Sequence, residues 1–281
     1  MRISLLMERE PFAAILENTL SEFWSQVYSR AVCVHWMNSG WRVLRSHAGE
    51  QAWVVNVYLN SIFLPSAHPD VFGPIRAEFS RSTSAWLRPV QRAYVQLALS
   101  WPASLLFSQA SLTVQPGIPD AENILILAGN HKIRLVESST RQATVLLKHG
   151  FPSDFFDSEI TARQQATSLE LPVPEIQTIA KDGTWFVEAM IQGTPLNRLA
   201  DPEKISLGRR TAWEALRVLV EKTGRSIPIS AYLDHLLSTI QRSNAAVPML
   251  DEDQRNHVSA ITHALYEEAG SGLAGKQESL L

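Results

Sequence analysis

NILILAGNHKIRLVESSTRQATVLLKHGF, residues 123–151, holds three apolar runs cut by turn residues. NILILA, HKIRLVE and ATVLLK are short, rich in branched aliphatic side chains and separated by GN and SSTRQ, which predicts three antiparallel strands in a meander. The third run ends at Lys148. FPSDFFDSEITARQQATSL then has helical spacing, with Glu159 on the same side as Phe155, Phe156, Arg163 and Ala166. LPVPEIQTIA and GTWFVEAMI supply two further strands, divided by the turn residues KDG at 181–183. Residues 116–195 are therefore expected to form a five-stranded antiparallel sheet with one helix between its third and fourth strands.

Composition sets the frame around this unit. The chain has 281 residues, 45% hydrophobic and 19% charged, so it can bury a core and is not a disordered segment. No apolar run approaches the ~20 residues that span a bilayer, and Glu8, Arg9 and Glu10 interrupt the opening MRISLLMEREPF, so neither a membrane span nor a secretory leader is expected. A cytoplasmic location follows as the default. The net charge of -3, without a basic block or a basic strand studded with aromatics, argues against a nucleic-acid surface. Cys33 is the only cysteine and cannot close an internal disulfide. Its setting, AVCVHW, suggests a small buried thiol inside a strand.

The two halves differ in composition. Residues 1–115 contain no lysine and six of the eight tryptophans, and the change falls at TVQPGIPDAEN, where Pro116, Gly117 and Pro119 mark a turn or linker. A separate α+β domain is expected over residues 1–115. Phe12, Ile15, Leu16, Leu20, Phe23, Trp24 and Val27 define the core face of a helix, followed by strand-like runs AVCVHWM, WRVLRS and QAWVVNVYLN. IRAEFSRSTSAWLRPVQRAYVQLALSW has helical character, with Pro89 expected to kink or end the helix near Leu87 and Arg88. His35, His47 and His68 stand alone on different elements, unlike the converging ligands that zinc requires.

The order strand, strand, strand ending in Lys148, helix carrying Glu159, strand, strand resembles the smaller lobe of the aminoglycoside phosphotransferase and choline-kinase group of kinase-like enzymes. The resemblance rests on VLLKHGF, SEITARQQA, LPVPEI and WFVEAMIQGTPLNRL, over about residues 123–199, with helices continuing to about 270. It implies that Lys148 holds ATP phosphates, that Glu159 pairs with Lys148, and that Glu188, Ala189 and Met190 form the hinge whose backbone meets adenine. A lysine held by a carboxylate on an adjacent helix would be preorganised for phosphate. The bland alternative makes Lys148 a strand-end residue and Glu159 a solvated helix charge.

Two features depart from the family pattern. AGN, residues 128–130, replaces a glycine-rich loop. Residues 200–281, expected to be the first helices of a larger lobe, contain no HGD-type catalytic loop and no later metal-binding aspartate. The stretch from Gly270 through Gly275 and Lys276 imitates a phosphate-binding loop, but a helical pattern at Val258, Ile261 and Leu265 precedes it and Gln277 stands where a Ser or Thr is required. It is expected to be a flexible tail. Asp251 is expected to cap the helix before it. The expectation is thus an α+β chain: an N-terminal domain over 1–115, a kinase-like small lobe over 116–195, and an incomplete helical large lobe over 196–281. It should bind ATP weakly, without dependence on magnesium, and transfer no phosphate. The alternative is a pseudokinase-type scaffold with a protein partner or self-association through exposed helices.

Overall fold

The computed structural model describes residues 3–40, 43, 48–79, 86–190, 196, 199, 201–224, 227–246, 252–272 and 279–280. Helix α1 (Ile3–Arg9) leads through Glu10 and Pro11 into α2 (Phe12–Tyr28). Phe12, Leu16, Leu20 and Trp24 recur every fourth residue on α2 and are all buried, as an amphipathic helix requires. Strands β1 (Cys33–Met37), β2 (Gln51–Asn56) and β3 (Ser61–Phe63) follow, then α3 (Gly73–Phe79), α4 (Leu87–Leu99) and β4 (Ala110–Gln115). The meander is β5 (Ile124–Ala128), β6 (Lys132–Glu137) and β7 (Gln142–Leu147), and α5 (Asp154–Ser168) connects it to β8 (Ile176–Ile179) and β9 (Trp185–Ala189).

Among the described residues, nine strands join one antiparallel sheet in the order β1-β4-β2-β3-β5-β6-β7-β9-β8. The α+β class is as expected. The sheet does not stop at five strands, because β3 pairs with β5, setting Ser61 opposite Leu127 and Phe63 opposite Leu125. The proline-marked change at residues 115–119 therefore lies inside a continuous sheet. Compact units divide at Met1–Ile205 and Ser206–Leu281 rather than at residue 115.

Side chains alternate across a sheet, so register assigns each residue to a face. Trp53, Val55, Leu112, Ile126, Ile133 and Leu146 lie on the face covered by α1 and α2, in one buried cluster. Val54, Phe63, Leu125, Val136 and Ala143 form a second cluster with Ile75 of α3 and Val95 of α4 on the other face. Val145 and Phe186 continue that second face, where Phe156 and Ile160 of α5 pack. With helices on both faces, the middle strands are apolar on both sides.

One sheet edge is closed by an unusual match of periods. Ser25 Oγ accepts from Val32 N at 2.9 Å, Ser21 Oγ accepts from Val34 N at 3.0 Å, and Glu17 accepts from Trp36 N. Four residues along a helix advance about 6 Å and two along a strand about 6.8 Å, so one row of α2 meets in turn the N–H of Val32, just before β1, and those of Val34 and Trp36 within it.

Two expectations for the first half need correction, and one strand has no counterpart in the sequence reading. Pro89 is the third residue of α4 and does not break it, because it falls in the first turn, where a missing N–H deprives no helical partner. Cys33 is on a strand as read, yet its thiol is exposed: it alternates with buried Val34 at the sheet edge. Ala110–Gln115, not assigned a strand from sequence, is β4 and lies between β1 and β2. The proposed strand WRVLRS, His47 and the capping Asp251 lie outside the described residues, apart from Val43 within WRVLRS.

The second unit contains most of α6 (Pro202–Thr223), then β10 (Ile227–Pro228), α7 (Ile229–Ala246), α8 (Glu252–Gly272) and β11 (Ser279–Leu280). Gly270 belongs to α8, and β11 pairs antiparallel with β10, so the described ends of the glycine-rich stretch are structured.

Candidate functional site

Lys148 is the first residue beyond β7, and its amide donates to His131 O at 3.1 Å, extending the ladder by one step. It therefore keeps the parity of Leu146 and points to the face covered by α1 and α2. Its side chain is 0% exposed. The ammonium is paired with Glu10, at the corner between α1 and α2, and lies 5.3 Å and 5.4 Å from the ring centres of Phe12 and Phe151. Burial pushes the ammonium below its ordinary pKa, opposed by the hydrogen bond and charge of Glu10.

The expected contact between Lys148 and Glu159 is absent. Glu159 belongs to α5, which packs on the opposite face through Phe156, Ile160, Val145 and Phe186. Lys132, cross-strand from Leu147, shares that face and supplies the ion pair to Glu159. Arg163, one turn further along α5, reaches Glu159 at 2.6 Å and also pairs with Glu188 on β9. Arg134, two residues beyond Lys132, holds its Nε 3.2 Å from Glu188 Oε1. That buried nitrogen is close enough for charge pairing but lacks a hydrogen-bond partner. Three cations and two carboxylates thus bridge β6, α5 and β9. Burial raises the Glu159 pKa, but the neighbouring Lys132 and Arg163 more than offset it, and the carboxyl ends below its usual range.

The remaining expected site residues sit at the end of β9. Glu188 is buried in the ion cluster. Ala189 N donates to Glu175 O at 3.1 Å, and Met190 N donates to Arg141 O at 3.0 Å, so both amides are already used within the fold. The following GTP of GTPL lies outside the described residues.

On the other face, α2 grips the chain after β7. Thr19 Oγ1 accepts from His149 N at 2.9 Å, and Glu22 meets His149 Nδ1 at 2.8 Å. Gly150, at φ 78°, then turns the chain toward α5 in a conformation that suits glycine. Gln26 donates to Asp182 at 3.2 Å and accepts from Trp185 Nε1 at 2.9 Å. Thr19, Glu22, Gln26, His149, Asp182 and Trp185 border a cleft of about 490 Å³. Among the described residues, no three His, Cys, Asp or Glu side chains are grouped to hold a metal ion, and no helix is long and apolar enough to cross a membrane.

Sequence reading missed Glu10, Lys132 and Arg134. The alternation K-I-R-L at 132–135 was the available signal, since it places both cations on one face, but the partner across that face was not visible. No family model, curated protein or solved structure matches the chain.

Proposed function

We propose that residues 124–190 are the nucleotide-side lobe of a kinase-like, small-molecule phosphotransferase that binds ATP weakly and transfers no phosphate with the residues present here; a pseudokinase-type scaffold is the alternative. The observation carrying this reading is the arrangement of β5 to β9 around α5: a three-stranded meander, a helix with its carboxylate paired to a strand lysine, and a hairpin returning onto the third strand. A carboxylate-held lysine is the preorganised cation that nucleotide phosphates require.

Weak binding without transfer follows from the groups already committed. Lys148 is sealed by Glu10, Phe12 and Phe151, and the Ala189 and Met190 amides are engaged internally. Residues 200–281 carry no HGD-type loop to supply a base. The resemblance would draw magnesium to aspartates of that loop and of a later strand, so magnesium should add little affinity. Calorimetric titration of the full chain with ATP, with and without magnesium, and an assay of ATP turnover test the reading. Weak binding unchanged by magnesium, with no turnover, is expected. Tight magnesium-dependent binding or measurable phosphate transfer would instead support an active phosphotransferase.

A further inference from the structure

We propose that Lys132, with Arg134 beside it, is the site that meets the phosphates of a nucleoside triphosphate, in place of Lys148. The inference rests on the nucleotide-lobe reading and specifies where that lobe takes the phosphates.

Lys148 fails as a phosphate contact on geometry. It is wholly buried and faces α1 and α2, on the side of the sheet away from α5. Lys132 satisfies each requirement that Lys148 does not. It shares the sheet face of α5, its side chain is 27% exposed, and Glu159 steadies it. It also begins β6 directly after the turn at residues 129–131, which Gly129 N closes on Lys132 O at 2.9 Å. The backbone beneath the lysine is therefore fixed.

The charge balance favours an anion. Arg163 is consumed between Glu159 and Glu188, and Glu188 has only 8% of its side chain exposed. Arg134 is the outermost cation, 41% exposed, and its contact with Glu188 lacks hydrogen-bond alignment. Three positive groups against two negative ones leave one positive charge toward the exposed side of the cluster. Lys132 and Arg134 are two residues apart along one strand face, about 7 Å, a span suited to a chain of linked phosphates rather than a single one. Lysine supplies a compact point charge and arginine a planar fork of donors, a combination suited to phosphate oxygens.

Titration of the full chain with ATP, tripolyphosphate and adenosine, using wild type, Lys132→Gln, Lys132→Arg and Arg134→Gln, tests the assignment. Thermal unfolding of each variant checks that it is folded. ATP and tripolyphosphate should both bind wild type, and Lys132→Gln should weaken both about tenfold or more, the loss of a hydrogen bond to a charged group. Lys132→Arg should retain most of the affinity, and adenosine binding should be the same throughout. If Lys132→Gln does not fold, Arg134→Gln at the exposed guanidinium carries the test, with a severalfold loss for the two phosphate ligands. ATP affinity unchanged in both glutamine variants would overturn the assignment while leaving a nucleotide lobe intact. Adenosine binding without tripolyphosphate binding would do the same. Absence of binding by all three ligands would overturn the assignment and the lobe reading together.

Discussion

Lys148 and Glu10 form an ion pair shielded from water on one side by Phe12 and on another by Phe151. Removing one partner leaves an uncompensated charge in a site built to exclude water. Lys148→Ala or Glu10→Ala should therefore cost about 3–5 kcal/mol in denaturant unfolding, whereas Glu10→Leu combined with Lys148→Met should recover most of that loss. Glu159 gives a second residue-level expectation. Its carboxyl is held below the usual range, so the folded chain binds fewer protons there than the unfolded chain. That contribution is present above the unfolded value of about 4.3 and is lost as pH falls through the lowered folded value. Unfolding curves from pH 6 downward should thus fall less steeply for Glu159→Gln than for wild type, on the order of one proton's linkage. At this scale the sequence exposed the residue types but not their partners. In TVLLK, apolar residues occupy both parities because helices cover both sheet faces, so alternation gave no clue to which face Lys148 would take.

Elements with local signals were the legible part of the fold. β5, β6 and β7 carry apolar runs bounded by turn residues, and α5 and α2 carry helical periodicity, so their existence follows from short stretches of chain. β3 has three residues and β4 mixes Ala, Ser and Thr with its aliphatics; their pairing is non-local and left no comparable mark. The edge closure of β1 was equally hidden, since the helical periodicity of α2 marks its apolar face and gives no sign that Glu17, Ser21 and Ser25 meet a strand. Replacing Ser21 and Ser25 together with alanine should cost about 1 kcal/mol or more per lost acceptor, because the Val34 and Val32 amides lose their partners. The same double variant should associate more readily with rising concentration, an unprotected strand edge being a template for pairing. Equal unfolding midpoints and equal sedimentation for variant and wild type would count against this role.

The whole first unit is organised by one sheet that runs through the compositional break. Lysine content and tryptophan content change near residue 115, yet β4 pairs back with β1 and β2 while β3 carries the sheet onward to β5. Composition reports the surfaces and packing of each stretch; it does not report which strands pair. In the second unit, α6 has no buried residue, and Trp213, Leu216 and Val220 are exposed at helical spacing. Association through this apolar stripe is expected, so light scattering should show mass rising with concentration and Leu216→Glu should suppress the rise. Constant monomer mass for wild type would refute it. The most direct test of the central claim, that the nucleotide-side lobe offers Lys132 and seals Lys148, is amine-reactive footprinting of the folded full chain, read lysine by lysine by mass spectrometry with and without ATP. Lys148 should resist modification in both conditions, while Lys132 should react without ATP and be protected by it. Rapid modification of Lys148 that ATP suppresses, with Lys132 indifferent to ATP, would contradict the account.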